Sequence, residues 1–305
     1  MEPTTPLLSV LIITYNQEAY IQQAIDSVLA QKTDFNFEIV IGDDASTDQT
    51  RAICATYAAN YPKKIRLLPA MPNMGCARNF IQTLKACCGV YIAHLDGDDY
   101  WIDDLKLQKQ VNAFKKDAHL TLCFTGRRIY HESTDTYHDI IDGADNQPYH
   151  LADFASNIFF HLSTAVFKKP TNLNILDNVQ YLKIVDRPLY IILLAEMGGY
   201  AIKIADICTV FRMNNTSLFT PASELKRNQI ISDTYQKLKA WYPQLTQYFN
   251  HHLTVADYFH LRCAFKEQDK PTVRDLAMQI LKRTPLIHNW QLKLKAALHI
   301  PMAIF

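Results

Sequence analysis

The chain has 305 residues, of which 49% are hydrophobic and 20% are charged, and its formal net charge at pH 7 is +1. This composition excludes an intrinsically disordered chain, and the near-zero charge gives no basic field that would favour nucleic acid. No run reaches the ~18 apolar residues that a membrane-spanning helix needs, and no signal peptide opens the chain, so we expect a cytoplasmic protein.

Strands and helices alternate along the first two-thirds of the chain. Residues 7–13 form a continuous apolar run with β-branched residues, which is typical of a strand buried on both faces. The elements predicted after it are a helix over 17–31, a strand over 38–42, a helix from a Ser46-x-x-Gln49 capping box to about 61, a strand over 65–68, a helix over 77–88, a strand over 90–95, a helix around 107–114, strands over 120–125 and 162–167, and a helix over 188–197. This order predicts an α/β fold, a mainly parallel sheet flanked by helices, of the Rossmann-like nucleotide-binding kind.

Two segments break the alternation. Residues 131–150 are polar and rich in Asp, His and Tyr, and we expect them to form an irregular loop over one end of the sheet. Beyond Pro221 the pattern is helical only, and Ile231, Tyr235, Leu238 and Tyr242 lie on one stripe. We therefore predict a domain over residues 1–220 and an all-helical C-terminal region over residues 221–305.

Polar side chains follow three of the predicted strands, where a parallel sheet binds its ligands. Asp96 and Asp98 flank Gly97 directly after the strand over 90–95. Two carboxylates one residue apart can face a single Mg²⁺ or Mn²⁺, which prefers oxygen ligands and is commonly shared with substrate phosphates. The alternative is a polar turn, because Asp-Gly is ordinary turn chemistry.

Asp43 and Asp44 follow the strand over 38–42 and precede a helix. A carboxylate there can accept a hydrogen bond from a nucleobase N–H or a ribose hydroxyl. The alternative is that Asp44 or Ser46 caps the helix, and both interpretations can hold together because they use different side chains.

Thr14, Tyr15 and Glu18 lie at the first strand-to-helix turn, where Tyr15 could pack on a base and Glu18 could reach a ribose. The alternative is a helix start with an acid in its first turn. Arg78 follows Asn73-x-Gly75 and could pair with phosphate through its planar guanidinium, or it could be an ordinary surface arginine.

Asp186 precedes the helix predicted from Pro188, and it could be a general base or only an acid at a helix N-terminus. Tyr100 and Trp101 follow the acidic turn and could stack on a sugar ring or pack in the core. These residues alone favour a helix N-terminal acid for Asp186 and leave both alternatives open for Tyr100 and Trp101.

Four motifs, in this order and at these spacings, resemble the family 2 glycosyltransferases with the GT-A fold. They are the opening strand Leu8–Asn16, the aspartate motif Glu38–Asp48, the Asn-x-Gly-x-x-x-Asn segment Asn73–Asn79 and the D-x-D motif in Leu95–Asp99. The resemblance covers about residues 6–215.

The resemblance implies an inverting transferase that moves a sugar from a nucleotide-sugar, with UDP-sugar expected, to a hydroxyl of a glycan or lipid-linked acceptor, as in cell-surface polysaccharide synthesis. It also implies Mn²⁺ or Mg²⁺ as cofactor. Carried over, Asp186 is the catalytic base, Asp96 and Asp98 hold the metal, and the donor is bound by Thr14, Tyr15, Glu18, Asp43, Asp44, Arg78, Asp96 and Gly97. Two positions depart from the family, because Val185 stands where Glu is usual and Asn214 where His is frequent.

Two alternatives stay open for the function, namely a sugar nucleotidyltransferase and a non-catalytic nucleotide-sugar-binding or assembly protein. For the C-terminal region, Lys282, Arg283, Lys293 and Lys295 among apolar residues fit a basic amphipathic helix at the inner face of the plasma membrane. The alternative is that these helices pack on the catalytic domain or on a second subunit of a homodimer.

Overall fold

The computed structural model describes residues 5–141, 143–156, 160–214 and 224–283. The chain forms two compact units. The first comprises Met1–Phe154 and Ile158–Asn214, and the second comprises Ala155–Asn157 and Asn215–Phe305.

The first unit is built on a nine-stranded sheet with the strand order β3-β2-β1-β4-β8-β6-β9-β5, in which β7 also pairs with β6. The pairs β1·β2, β1·β4, β2·β3 and β6·β9 are parallel, whereas β8 is antiparallel to both of its neighbours. The strands are β1 (Leu8–Thr14), β2 (Phe37–Asp43), β3 (Ile65–Leu67), β4 (Tyr91–Asp96), β5 (Tyr100–Trp101), β6 (Leu120–His131), β7 (Thr136–Ile140), β8 (Val166–Lys168) and β9 (Tyr200–Met213).

Helices connect these strands in the order that the sequence predicts, except that α5 was not predicted. They are α1 (Ile21–Leu29), α2 (Thr50–Asn60), α3 (Cys76–Ala86), α4 (Lys106–Lys116), α5 (Leu151–Ser156) and α6 (Asp186–Met197), with 3₁₀ turns at Leu162–Thr164 and Leu173–Tyr181. The predicted α/β class, with a central sheet flanked by helices, is therefore confirmed. The sheet is mixed, because β5·β9 and β6·β7 are also antiparallel and the eight described strand pairs divide into four parallel and four antiparallel.

The register of β1 places three polar turns at one edge of the sheet. Every residue of β1 is buried, as its apolar run predicts, so the strand is held from both faces by the core. Thr14 pairs with Asp43 on one side, and Ile13 pairs with Asp96 on the other. The carboxyl ends of β1, β2 and β4 therefore lie level, and the turns that follow them share one rim.

The prediction of an irregular loop over residues 131–150 was wrong for the first half of the segment. β6 continues to His131 and turns into β7, so a β-hairpin occupies the first half of this segment. The polar residues follow from the exposure of both β7 faces, since four of its five residues are exposed and the remaining one is half-buried. A strand that buries neither face carries no apolar alternation from which to predict it.

Three further elements differ from the prediction. Residues 162–167 form a 3₁₀ turn followed by the short strand β8, and β9 was not predicted although its residues alternate partly between apolar and polar. The capping box of Ser46 does not form, because α2 begins at Thr50 without a side-chain cap. The Ser46 hydroxyl donates to Asp43 instead.

The second unit is helical, as predicted for the C-terminal region. Its described elements are α7 (Glu224–Trp241), the 3₁₀ turn Pro243–Leu245, α8 (Thr246–Lys266) and α9 (Lys270–Arg283). Tyr235, Leu238 and Tyr242 of the predicted stripe are buried. Among the described helices, none is both long and apolar enough to cross a bilayer.

Candidate active site

The first strand turn and the acidic turn are in direct contact. The Gly97 N–H donates to the Ile13 carbonyl over 3.0 Å, and the Thr14 hydroxyl donates to Gln17 Oε1 over 2.7 Å. A Cβ atom on Gly97 would lie 2.4 Å from Gln17 Oε1 and 2.8 Å from Thr14 Oγ1, so any side chain here would push the two turns apart. The predicted donor residues Thr14 and Gly97 are thus neighbours.

Asp43 and Asp44 lie at the same rim, and both are already engaged by the protein. The buried Asp43 carboxylate accepts from Ser46 and lies 3.4 Å from the Arg51 guanidinium. The Asp44 carboxylate accepts from the backbone N–H groups of Met74 and Gly75 over 2.7 and 2.9 Å. The structure therefore rejects Asp44 as a cap of α2, and Asp44 fixes the loop before α3 instead.

The two asparagines of the Asn-x-Gly-x-x-x-Asn segment attach this loop and α3 to the end of β2. Asn73 donates to the Asp44 carbonyl and Asn79 to the Gly42 carbonyl, each over 2.8 Å. Arg78 is exposed in the first turn of α3, and Tyr15 is 47% exposed. The Glu18 carboxylate accepts from the Gln49 N–H over 2.7 Å, which links the first turn to the start of α2.

Three carboxylates crowd the acidic turn after β4. Burial and the neighbouring Asp96 raise the pKa of Asp98 to about 6. Burial, Asp98 and Asp96 raise the pKa of Asp99 well above its usual value. Burial also disfavours the charged form of Asp96, but His94, whose Nε2 lies 3.0 Å from Asp96 Oδ1, holds the pKa of that carboxyl at about 2. Like charges of this kind favour a bound cation.

A short 3₁₀ turn, Leu162–Thr164, joins these acids to Asp186. Ser163 Oγ lies 2.7 Å from Asp99 Oδ2 and 3.2 Å from Asp96 Oδ2. The adjacent Leu162 N–H donates to Asp186 Oδ2 over 3.2 Å. Asp186, the first residue of α6, is therefore linked to Asp96 and Asp99 through the adjacent residues Leu162 and Ser163. No motif in the sequence pointed to Ser163.

The end of β9 closes the other side of the acidic turn. The Arg212 N–H donates to Asp99 Oδ1, its Nε donates to the Asp98 carbonyl, each over 3.0 Å, and its guanidinium also donates to Gln23 Oε1 over 2.6 Å. The Asn214 amide donates to Asp98 Oδ2 over 3.3 Å. Asn214 thus contacts a predicted metal ligand at the position where the family frequently has His.

The donor atoms at this turn fit a divalent cation. One ligand atom each from Asp96, Asp99 and His161 lie within 4.8 Å of one another. His161 Nδ1 is buried without a hydrogen-bond partner among the described residues, and Asp99 Oδ2 is 3.6 Å away. Two carboxylates and an imidazole with an unsatisfied nitrogen are a common ligand set. Asp99 and His161 were not predicted, and Asp98 lies beside them.

Of the two aromatic residues after the acids, Trp101 is part of the core. It is 4% exposed, and its indole N–H donates to the Ser163 carbonyl over 3.0 Å. The structure therefore selects core packing for Trp101, whereas Tyr100 remains half-exposed at the rim.

Sequence relatives share parts of this chain. An uncharacterized protein of Mycobacterium tuberculosis is 45% identical over 125 residues, which are 41% of this chain and 36% of that protein. Chondroitin synthase of Escherichia coli is 30% identical over 216 residues, which are 70% of this chain and 30% of the synthase. The chain thus spans about a third of the length of each of these relatives.

Two solved structures share the fold. S. aureus TarS, residues 1–349 in complex with UDP, aligns with a TM-score of 0.62 and 18% identity over 97% of this chain and 90% of TarS. The mannosyltransferase PcManGT of Pyrobaculum calidifontis, in complex with GDP-Man and Mn²⁺, aligns with a TM-score of 0.58 and 19% identity over 98% of this chain and 88% of PcManGT.

The sequence model described as glycosyl transferase family 2 matches residues 9–189, which is more than half of the chain and contains every predicted site residue. The opening strand, the aspartate motif, the acidic turn and Asp186 all fall within this match. The chain therefore belongs to glycosyl transferase family 2.

Proposed function

We propose that the chain transfers a sugar, with inversion at its anomeric carbon, from a UDP-sugar to a hydroxyl of a glycan or lipid-linked acceptor. The observation that carries the proposal is the bridge through Leu162 and Ser163, which places Asp186 beside Asp96 and Asp99. A base and a cluster of acids at one rim can serve the acceptor and the diphosphate of one donor.

Asp186 is the proposed general base. Its Oδ2 accepts one backbone hydrogen bond from Leu162, which orients the carboxylate. Val185, which stands where the family usually has Glu, is 4% exposed, so the valine side chain is buried. Asp186 would take the proton of the acceptor hydroxyl as that oxygen attacks, and such assistance typically contributes ~10²–10⁴ in rate.

Asp96 and Asp98 are the proposed metal ligands, and Asp99 and His161 offer further donor atoms at the same turn. When bound, Mn²⁺ or Mg²⁺ would neutralise the charge that develops on the diphosphate leaving group. The turn that would hold this ion is fixed by hydrogen bonds from two sides, with Ser163 on one side and Arg212 on the other. The Mn²⁺ in the PcManGT structure supports this assignment.

The remaining rim residues are the proposed donor site. The nucleoside would be held by Thr14, Tyr15, Glu18, Asp43 and Asp44, with Arg78 beside the phosphates and Asp96 and Gly97 at the ribose and diphosphate. Tyr15 is exposed, as a side chain that packs on a base must be before the base arrives. The UDP in the TarS structure supports uridine as the nucleoside.

Two further proposals concern the acceptor and the role of residues 221–305. The similarity to chondroitin synthase supports a polysaccharide acceptor. Of the predicted basic face, Lys293 and Lys295 lie outside the described residues, and Arg283 donates to the buried Asp257 over 2.5 Å. This ion pair favours helix packing over membrane contact for Arg283.

The test is a donor panel. The purified chain is incubated with UDP-, GDP- and dTDP-sugars, with Mn²⁺ or with EDTA, and nucleoside diphosphate release is measured. We expect UDP release from at least one UDP-sugar that EDTA abolishes and Mn²⁺ restores. Asp96→Ala should lose it, whereas Asp177→Asn, an exposed acid paired with Lys85, is the matched control.

Asp186→Asn separates the catalytic proposal from mere binding. We expect this variant to bind UDP like the wild type and to lose turnover by at least about a hundredfold. A wild-type chain that binds UDP and releases none from any donor would instead be a nucleotide-sugar-binding protein. Retained turnover in Asp186→Asn would place the base on another residue.

A further inference from the structure

Four tyrosines, Tyr20, Tyr100, Tyr130 and Tyr137, gather beside the acidic turn, and we call them the tyrosine cluster. Arg212 lies at its centre, with its guanidinium carbon 4.8 Å from the ring centre of Tyr20, 5.4 Å from that of Tyr100 and 5.5 Å from that of Tyr130. Tyr137 stacks on Tyr130 with ring centres 4.5 Å apart and planes inclined by 22°. Of these four, only Tyr100 was considered from the sequence as a residue that could stack on a sugar ring.

The cluster is continuous with the proposed catalytic centre. Arg212, whose guanidinium faces three of the rings, donates its Nε–H to the Asp98 carbonyl and its backbone N–H to Asp99. A side-chain hydrogen bond joins Tyr100, two residues after Asp98, to Tyr137. The rings therefore extend outward from the turn that would hold the diphosphate.

Hydroxyl-binding acids border the rings. Glu132 and Asp135 are exposed on the hairpin between β6 and β7, and they accept hydrogen bonds from Tyr20 over 3.0 Å and from Tyr130 over 3.1 Å. Carboxylate oxygens have more acceptor positions than one phenol occupies. Acceptors for hydroxyl groups thus lie at the edge of an aromatic surface.

Arg212 accounts for most of the cluster, but it does not account for Tyr137. Tyr20, Tyr100 and Tyr130 surround the guanidinium, which is sufficient reason for their positions. Tyr137 is 53% exposed, stacks on Tyr130, its direct cross-strand partner, and shares a side-chain hydrogen bond with Tyr100, so it lies outside the ring of side chains around the guanidinium. An open aromatic face on the hairpin that also carries Glu132 and Asp135 matches a sugar ring, which has apolar C–H faces and a rim of hydroxyl groups.

We propose that the tyrosine cluster, through the exposed face of Tyr137, binds a sugar ring of a carbohydrate acceptor. This inference rests on the proposed function, because it assigns the acceptor side of the same site. It names the acceptor class as a glycan, and the acceptor hydroxyl would then enter from the hairpin side of the acidic turn.

The test measures glycan binding directly. The labelled full-length chain, with UDP and Mn²⁺ present, is applied to a printed array of common oligosaccharides and bacterial polysaccharide fragments. We expect the wild type to retain at least one glycan, Tyr137→Phe to bind it within about twofold, and Tyr137→Ala to bind it about tenfold more weakly. Tyr61→Ala, another exposed and stacked tyrosine after α2, is the control that should bind like the wild type.

Tyr137→Thr is measured beside the alanine variant, because threonine suits a strand and keeps the hairpin if alanine does not. A wild-type chain that retains no glycan, or equal retention by the variants that lack the ring, overturns the proposal. UDP binding by calorimetry on the same wild-type protein is a separate readout. Its absence would overturn the proposed function, whereas unchanged glycan retention in Tyr137→Ala overturns the acceptor assignment only.

Discussion

Replacing Asp98 by asparagine should stabilise the metal-free protein while it destroys the metal site. Burial and the charge of Asp96 raise the pKa of Asp98 to about 6, so at neutral pH the folded chain holds a carboxylate in a place that disfavours its charge. Asparagine has nearly the same shape without the charge, and its carbonyl can accept the hydrogen bond that Asn214 now donates. The repulsion within the turn would fall.

The size of the effect follows from the pKa. The shift from the ordinary value of 3.8 to about 6 is about 2 pKa units, and at 1.36 kcal/mol each it corresponds to about 3 kcal/mol of unfolding free energy. The buried amide has its own desolvation cost of about 1 kcal/mol. We therefore expect Asp98→Asn to be more stable by about 2 kcal/mol, which raises Tm by about 4–8 °C.

The pH dependence identifies the cause. A carboxyl whose pKa is raised on folding destabilises the protein above the folded pKa, and this penalty disappears as the pH falls towards the unfolded value. The advantage of Asp98→Asn should therefore be full at pH 8, decline through pH 6 and nearly vanish at pH 4.5. Differential scanning calorimetry in EDTA measures it, with Asp177→Asn as a surface control that shifts by less than about 1 kcal/mol.

Mn²⁺ should reverse the order of the two proteins. The wild type gains stability from the ion in proportion to its affinity, and Asp98→Asn gains little because a ligand is missing. A variant that melts at or below the wild-type temperature at pH 8 in EDTA would refute the reasoning. So would a stabilisation that is the same at pH 4.5 and pH 8.

Two further substitutions test contacts described above. Gly97→Ala should lower the unfolding free energy by about 1–3 kcal/mol in urea titrations and weaken UDP binding, because its Cβ would lie 2.4 Å from Gln17 Oε1. Adding Gln17→Ala should restore part of the lost unfolding free energy. If it restores none, the clash is with another group. Arg283→Met should lower the unfolding free energy by about 3–5 kcal/mol in the same assay, since it leaves the buried Asp257 without its cation. An unchanged unfolding free energy would mean that this ion pair does not stabilise the second unit.

The fold was largely predictable because its signal is local. The largely apolar runs of β1, β2 and β4 alternate with helical stripes, and burial on both faces gave each strand a mostly apolar segment. The failures lie where that signal is weak. The exposed strand β7 resembles a polar loop in sequence, and β8 has only three residues between irregular segments.

The candidate site was predictable only in part, because its residues come from two kinds of place. Asp43, Asp96 and Asp98 follow buried strands, so sheet topology alone brings them to one rim. His161 and Ser163 come from a short turn that no periodicity marks, and their proximity to Asp96 depends on the antiparallel pairing of β8 with β4. The roles of all predicted site residues stay predictions until donor binding is measured.

The Ser163 hydroxyl carries a single hydrogen, yet it faces an oxygen of Asp99 and an oxygen of Asp96. It can donate to one of them at a time, so the other carboxylate then depends on its remaining partner, which is His94 Nε2 for Asp96 and the Arg212 N–H for Asp99. The two acids are therefore not independent: whatever draws that hydrogen towards Asp99 strips Asp96 of a donor. Threonine at this position would keep the hydroxyl, whereas alanine would end the exchange and remove one donor from both carboxylates.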